Sequence, residues 1–180
     1  MPNEVLVKAG TPIVWADATD FDNDPFADTY QMDLTGLATA NARQGAKGDF
    51  GATRAAKYAV VLNVEIDVAP VSATTVEVYF APSVSSIAAS GNAGGIIGAD
   101  AAYTGTAGDS LDDSLKQLDL VGVLVCTADA DPAEQNQLIA VYSPPTRYGS
   151  PVVYNKSGQT HVGDATHAYL LFEPIVDEVQ

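Results

Sequence analysis

The residues with the clearest chemical pattern are the acids of Asp20-Phe-Asp-Asn-Asp-Pro25, which place oxygen ligands at alternate positions like the start of a calcium loop. An EF-hand also needs glycine at its sixth position and a bidentate glutamate at its twelfth. This sequence has Pro25 and Gln31 at those positions. The segment is therefore not an EF-hand, and a solvated acidic loop is favoured over a looser calcium site.

Other residues suited to chemistry are few. The two histidines, His161 and His167, flank Gly163-Asp164, and a polar turn accounts for this pattern better than a catalytic or metal-binding pair. The single cysteine, Cys126, lies in an apolar run, which is typical of a buried, inert thiol. Asn155-Lys-Ser157 matches a glycosylation acceptor, but a turn that ends a strand is the better interpretation.

Sequence motifs for catalysis and cofactor binding are missing. The chain contains no G-x-S-x-G, no glycine-rich phosphate loop, no C-x-x-C and no H-E-x-x-H. An acidic hydrolase would need a pair of carboxylates close together, and no spacing of acidic residues in the sequence indicates such a pair. We therefore expect a protein that is not an enzyme, with no catalytic residues, no cofactor and no bound metal.

Charge narrows the choice of partners. The chain has 8 basic and 23 acidic residues, a net charge of -15, so phosphate backbones and anionic lipid surfaces repel it. We expect neither nucleic acid nor membrane as a partner. No apolar stretch reaches the ~20 residues that cross a bilayer, and the first residues lack the pattern of a signal peptide. A soluble protein without a targeting signal is expected.

Half of the basic residues stand in one short window. Arg43, Lys47, Arg54 and Lys57 occur together with only Asp49 opposing them. They are the candidate interface residues. A strongly acidic protein is repelled by another acidic surface unless a positive patch makes the contact. The alternative is that they neutralise acids of the same chain, such as those of residues 17–33.

The elements that must position these residues are strands. The segment Tyr58 to Val68 alternates apolar and polar side chains in its second half, from Leu62 on, and Thr74 to Ala81 alternates as well. The two segments are predicted to be half-buried strands, joined by a turn over residues 70–73 as an antiparallel hairpin. Residues 109–115 carry a capping residue and early acids, which predicts one short helix. Further strands are predicted at 11–15, 29–34, 118–126, 137–142, 152–154 and 167–172.

This pattern predicts an all-β fold, a two-sheet β-sandwich or jelly roll with long loops and at most one short helix. The 180 residues suit a single domain. Residues 1–42 are a candidate extended N-terminal arm. Residues 83–108 form a long loop rich in glycine, alanine and serine, which is either functional or mobile.

Two regions resemble virion proteins of tailed bacteriophages, in particular small capsid decoration or cement proteins built on a β-sandwich. One runs from Arg43-Gln-Gly-Ala-Lys-Gly-Asp-Phe-Gly51 through the strand that ends at Pro70 to Thr75-Val-Glu-Val-Tyr-Phe-Ala-Pro82. The other contains Pro144-Pro-Thr-Arg-Tyr148, Pro151-Val-Val-Tyr-Asn-Lys-Ser-Gly158 and a last strand that closes on Phe172-Glu-Pro-Ile-Val176. Together they span most of residues 43–176.

The resemblance implies a non-enzymatic structural protein that binds and stabilises an assembled phage head. Its partners would be the major capsid protein shell and copies of itself, most often as a homotrimer, and it would be made in the host cytoplasm and found on the capsid surface. Proteins of this kind also occur as tail or fibre components. A carbohydrate-binding β-sandwich module, assisted by calcium at the Asp20, Asp22 and Asp24 loop, is the alternative from another class.

Overall fold

The fold is defined by a computed structural model that describes residues 11–22, 26–129, 133–163 and 166–175. Within these ranges the elements are β1 (Ile13–Ala16), β2 (Tyr30–Gln31), β3 (Ala42–Gln44), β4 (Gly48–Asp49), β5 (Lys57–Ile66), β6 (Thr75–Ser83), β7 (Ala101–Tyr103), α1 (Leu111–Leu115), β8 (Asp119–Val125), β9 (Ala133–Tyr142), β10 (Tyr148–Lys156) and β11 (Tyr169–Ile175). One sheet has the order β2-β1-β11-β5-β9, and the other has the order β7-β3-β10-β6-β8 with β4 beside β10. The two sheets pack face to face, so the predicted all-β sandwich is confirmed.

The main core lies between the two sheets and is rich in aromatic rings. Trp15, Phe80 and Phe172 are fully buried, and Phe50 is nearly so. The ring centroids of Trp15 and Phe172 lie 5.2 Å apart, and those of Phe50 and Phe80 lie 5.6 Å apart. The alternating pattern of β5 supplies one wall of this core, since its even-numbered residues from Tyr58 to Ile66 are all buried.

The predicted hairpin of β5 and β6 is wrong. β5 pairs with β11 and β9 in one sheet, whereas β6 pairs with β10 and β8 in the other. The connection over residues 67–74 therefore leads from one sheet to the other, and most of its residues are exposed. Alternation shows which face of each strand is buried, and two strands that bury their faces in one core from opposite sides carry the same pattern as a hairpin.

Side chains join the two sheets where the edge strands β8 and β9 run side by side. The Val125 amide donates a hydrogen bond to Gln137 Oε1 at 3.1 Å, and the Tyr142 hydroxyl donates one to Asp119 Oδ2 at 2.9 Å. These contacts occupy polar groups that two open sheet edges would otherwise present to solvent.

The opposite side of the sandwich is also joined. The Ala46 amide, from the turn between β3 and β4, donates to the Gln31 carbonyl of β2 at 2.8 Å. The Trp15 indole Nε1 donates to the Ala46 carbonyl at 2.8 Å. Strand β1 and the β3–β4 turn are thereby held together across the gap between the sheets.

The segment 83–108 is a folded cover on the outer face of its own sheet. It contains β7, and with α1 it encloses a second apolar cluster whose buried members are Ala42, Ala81, Ile96, Tyr103, Leu115, Leu118, Val152 and Tyr154. The long loop over residues 83–108 is therefore packed against the sandwich. The predicted helix is confirmed as α1, with Ser110 as its N-cap.

Described residues of the candidate N-terminal arm, 1–42, include strand β1 of the sandwich. Strand β1 lies between β2 and β11, and it carries the buried Trp15. Phe21 and Phe26, which follow β1, pack on the Tyr169 ring at centroid distances of 5.9 and 5.8 Å. Residues 1–10 and 23–25 lie outside the described part of the chain.

Gly122 allows the close approach of β8 and β9, and its replacement tests this contact between the two strands. A Cβ at residue 122 would lie 2.6 Å from the Ile139 carbonyl oxygen. We expect Gly122→Ala to lower the free energy of unfolding by about 1–3 kcal/mol, because the strands must move apart. Gly163→Ala is the control, since a Cβ there meets no atom within 4 Å. Urea denaturation measures both, and equal stability of the two variants would contradict the assignment.

Candidate interaction surfaces

The structure separates the four candidate interface residues into different environments. Arg43 on β3 forms a bidentate ion pair with Asp100, with Nε to Oδ1 at 2.6 Å and a second N–O distance of 2.5 Å. Asp33 lies 4.0 Å from the same guanidinium. The hydrogen bond with Asp100 raises the pKa of Arg43. Arg43 therefore neutralises acids of its own chain, which was the alternative interpretation of this window.

Lys47 is held inside a cage of neutral oxygen atoms. Its ammonium donates to Ser83 Oγ at 2.9 Å and to the carbonyls of Ser85, Ile87 and Ser90 at 3.0, 2.7 and 2.8 Å. No carboxylate within the described part of the chain pairs with it. Burial lowers the pKa of Lys47. This lysine anchors the loop over residues 83–90 and does not reach outward.

Arg54 and Lys57 are the two candidate residues that stay exposed. Arg54 lies in the β4–β5 connection and Lys57 is the first residue of β5, and neither forms an ion pair with another described residue. Arg54 also lines a cleft of about 350 Å³ together with Pro12, Phe50 and Tyr58. The structure thus leaves these two cations available at one end of the sandwich.

The anchored loop displays an aliphatic surface. Val84, Ile87 and Ile97, here called the loop patch, are 50% to 84% exposed. The loop backbone beneath them is tied down, because the Asn92 amide donates to the carbonyls of Ala88 and Ile96 at 2.7 and 2.9 Å. Residues 83–99 contain no ionisable side chain. The loop patch is therefore an uncharged apolar surface on a fixed support.

Exposed aliphatic side chains also lie on the edge strands β8 and β9. Leu120 and Val125 of β8 point outward from one sheet, and Leu138 and Val141 of β9 point outward from the other; all four are 49% to 59% exposed. Residues 120–128 and 135–146 contain no charged side chain. Each outer face of the sandwich therefore carries two exposed aliphatic groups at this edge.

Sequence reasoning identified neither the loop patch nor the exposed aliphatic residues of β8 and β9. It marked residues 83–108 as a loop that is functional or mobile, without separating its outward valine and isoleucines from the buried Ile96. The sequence of β8 contains a signal for its exposed aliphatic residues. The run Leu120-Val-Gly-Val-Leu-Val125 lacks the polar residues that a strand with one solvent-exposed face would carry.

The residues suited to metal binding do not come together in the described part of the chain. No group of three or more His, Cys, Asp or Glu is placed there to hold a metal ion. Of the calcium-loop candidates, Asp20 and Asp22 are described and Asp24 is not. Cys126 is buried, and its burial raises the thiol pKa.

Asn155 forms the predicted turn. Its side-chain amide donates to the carbonyls of Leu37 and Gln159, both at 2.8 Å, and its Oδ1 accepts from the Ser157 amide at 2.9 Å. Gly158 follows with a φ of 80°. Because Asn155 is fully buried, the folded chain cannot present it for glycosylation.

A cleft beside β7 has a volume of about 480 Å³. Asp33, Thr35, Asn41 and Arg43 contribute polar groups to its wall. Its aromatic residue, Tyr103, is buried and uses its hydroxyl as a donor to the Gly94 carbonyl. The cleft therefore lacks the exposed ring on which a sugar would stack.

Comparison with protein-family models, curated proteins and solved structures gives no match to this chain. In the part of the chain that the structure describes, no helix is long and apolar enough to span a membrane.

Removal of the Lys47 ammonium tests its anchoring role. We expect Lys47→Met to lower the free energy of unfolding by about 1–3 kcal/mol, because hydrogen bonds to a charged group are lost and loop carbonyls lose their donor. Hydrogen exchange should rise in residues 83–98 before other regions. Lys57→Met is the matched control and should leave both quantities unchanged. Unaltered exchange in the loop of Lys47→Met would show that the ammonium does not hold it.

His161 should make the fold sensitive to acid. It is buried beside Ile66, and desolvation lowers its pKa from the ordinary 6.5 to about 4, against a smaller opposing effect of the Leu34 backbone. Between these pH values the unfolded chain takes up a proton that the folded chain does not. Stability is therefore complete above pH 6.5 and falls by about 3 kcal/mol as the pH drops towards 4.

His161→Leu should remove this part of the acid sensitivity. Urea denaturation at pH 7.5 and at pH 4.5 measures the loss of stability in each variant. His167→Gln, at a half-exposed position beside Glu65, should retain the loss seen in the wild type. An equal loss in His161→Leu and wild type would contradict the assignment.

Proposed function

We propose that this protein is a structural component of a tailed-phage virion, a capsid decoration or cement protein that binds and stabilises the assembled head. The observation that supports the proposal most is the combination of exposed, uncharged aliphatic side chains on anchored elements, above all the loop patch, with a strongly acidic chain. No group of His, Cys, Asp and Glu among the described residues is placed to hold a metal ion. The resemblance of residues 43–176 to decoration proteins supports the same function.

The mechanism proposed is cementing. A protein that binds across the junctions between shell subunits finds its complete site only in the assembled state, so binding favours assembly by mass action. The site of action would be the outer surface of the head, after synthesis in the host cytoplasm. A tail or fibre component would use the same kind of surface.

The docking end of the molecule is assigned to Arg54 and Lys57. Arg43 pairs with Asp100, and Lys47 is enclosed by the loop. Neither side chain is therefore available for contact with a shell. Arg54 and Lys57 are exposed on a chain of net charge -15. A positive end on such a chain reduces the repulsion from an acidic shell.

Binding to particles tests the function. Shells are mixed with wild type or with Arg54→Glu/Lys57→Glu, and the protein bound per particle and the melting temperature of each are measured. We expect at least a tenfold weaker binding of the double variant at an unchanged melting temperature. Moderate salt should release the wild type, because exposed charges are screened within about 8 Å at physiological ionic strength.

Arg43→Glu/Lys47→Glu is the matched control. It makes the same change in charge, but it removes in-chain contacts, so its melting temperature should fall. Electron microscopy of the particles shows the location of the bound protein. Density on the tail would favour the tail or fibre alternative, and no binding of the wild type to any particle would contradict the proposal.

A further inference from the structure

The two exposed cations at one end of the sandwich stand beside the place where strand β11 ends. Lys57 is the first residue of β5, and it pairs in register with Ile175, the last residue of β11. Arg54 precedes Lys57 by three positions and lines a cleft together with Tyr58, the residue after Lys57. The residues that follow Ile175 in the chain are therefore tethered by the backbone close to Lys57.

Those residues carry the opposite charge. Residues 176–180, which lie outside the described part of the chain, read Val-Asp-Glu-Val-Gln, with two acids and no base. Opposed residues of an antiparallel pair have their Cα atoms about 5 Å apart, and each further residue extends the chain by at most about 3.6 Å. The Cα atoms of Lys57 and Asp177 are thus at most about 13 Å apart. The two side chains together can bridge this span.

Arg54 and Lys57 differ from the other basic residues of the described chain. Neither pairs with a described carboxylate, and Glu173 of β11 forms no ion pair with Lys57. Lys47 is held by neutral oxygens. The remaining described Lys and Arg residues all pair with acids of their own chain: Arg43, Lys116, Arg147 and Lys156. The two cations that lack a described partner are therefore the two beside the acids that follow β11.

We propose that Asp177 and Glu178 pair with Lys57 and Arg54 of the same chain and compete with the shell for these docking cations. The inference rests on the proposed function and adds a regulation of the same site. Only one residue separates Ile175 from Asp177, and so short a tether presents the acids at a high effective concentration. A partner must therefore offer more than a single exposed carboxylate to displace them.

Carbodiimide cross-linking of the purified protein tests the contact. The reagent joins a carboxylate to an amine that touches it, and it takes up the water that this condensation releases. Mass spectrometry of the digested wild type should show Lys57 joined to Asp177 or Glu178. The ion pair of Lys156 with Glu77, with an N–O distance of 3.0 Å, is the internal positive control.

Three results of this experiment would overturn the proposal. One is a product in which Lys156 is joined to Glu77 and Lys57 is not cross-linked. Another is a Lys57 that is joined to Glu173 in place of the acids after β11. The third is a Lys57 link that occurs only in products of twice the chain mass, because the occupant would then be the same segment of a second copy.

Binding to shells tests the competition. Asp177→Asn/Glu178→Gln should bind shells about threefold more tightly than the wild type and stay bound at higher salt, because an exposed ion pair no longer has to be broken. Asp67→Asn/Glu173→Gln is the matched control, since it makes the same change in net charge at two exposed acids. We expect the control to bind as the wild type does, and an equal gain in both variants would contradict the competition.

The two proposals fail separately. The cross-link forms without any particle, so its absence overturns the contact of Lys57 with the acids after β11 and leaves the shell-binding function standing. Shells that bind no wild-type protein contradict the proposed function, whereas the Lys57 cross-link still decides whether the contact exists.

Discussion

The close packing of Trp15 against the β3–β4 turn is the constraint on which much of the structure depends. A Cβ at Gly45 would lie 2.9 Å from the Trp15 ring, and one at Gly48 would lie 2.5 Å from it, so only glycine fits at either position. The indole also donates to the carbonyl of Ala46. These contacts fix residues 45–48 as a unit, and Lys47 within that unit then projects away from the core into the loop above it.

The outer layer of the molecule thus depends on the inner one. The aromatic core positions the turn, the turn positions the Lys47 ammonium, and the ammonium gathers three backbone carbonyls of residues 85–90. A loop of small residues has little apolar surface of its own to bury, and a central cation gives its carbonyls a common partner. The aliphatic groups of the loop patch are held in place by this electrostatic contact.

Short-range patterns in the sequence predicted the elements well, and long-range contacts account for the errors. The alternation in β5 and the cap at Ser110 are local signals, and both correspond to observed elements. The pairing of β5 with β9 and β11 depends on which strands share a sheet, which alternation does not encode. Arg43, Lys47, Arg54 and Lys57 do not form a single surface, for a related reason. Asp100, which pairs with Arg43, lies 57 positions after it in the chain, and only the pairing of β3 with β7 brings the two together.

The joined edges of the sandwich have a consequence for how concentrated the protein can become. Open strand edges are the templates on which β-proteins stack into fibrils, and exposed aliphatic groups beside such an edge increase that hazard. Here side chains of β8 and β9 cover one pair of edges, and the Ala46–Gln31 hydrogen bond ties down an edge on the other side. The covered edges therefore leave fewer free strand groups on which a second chain could stack, even though aliphatic side chains are exposed beside them.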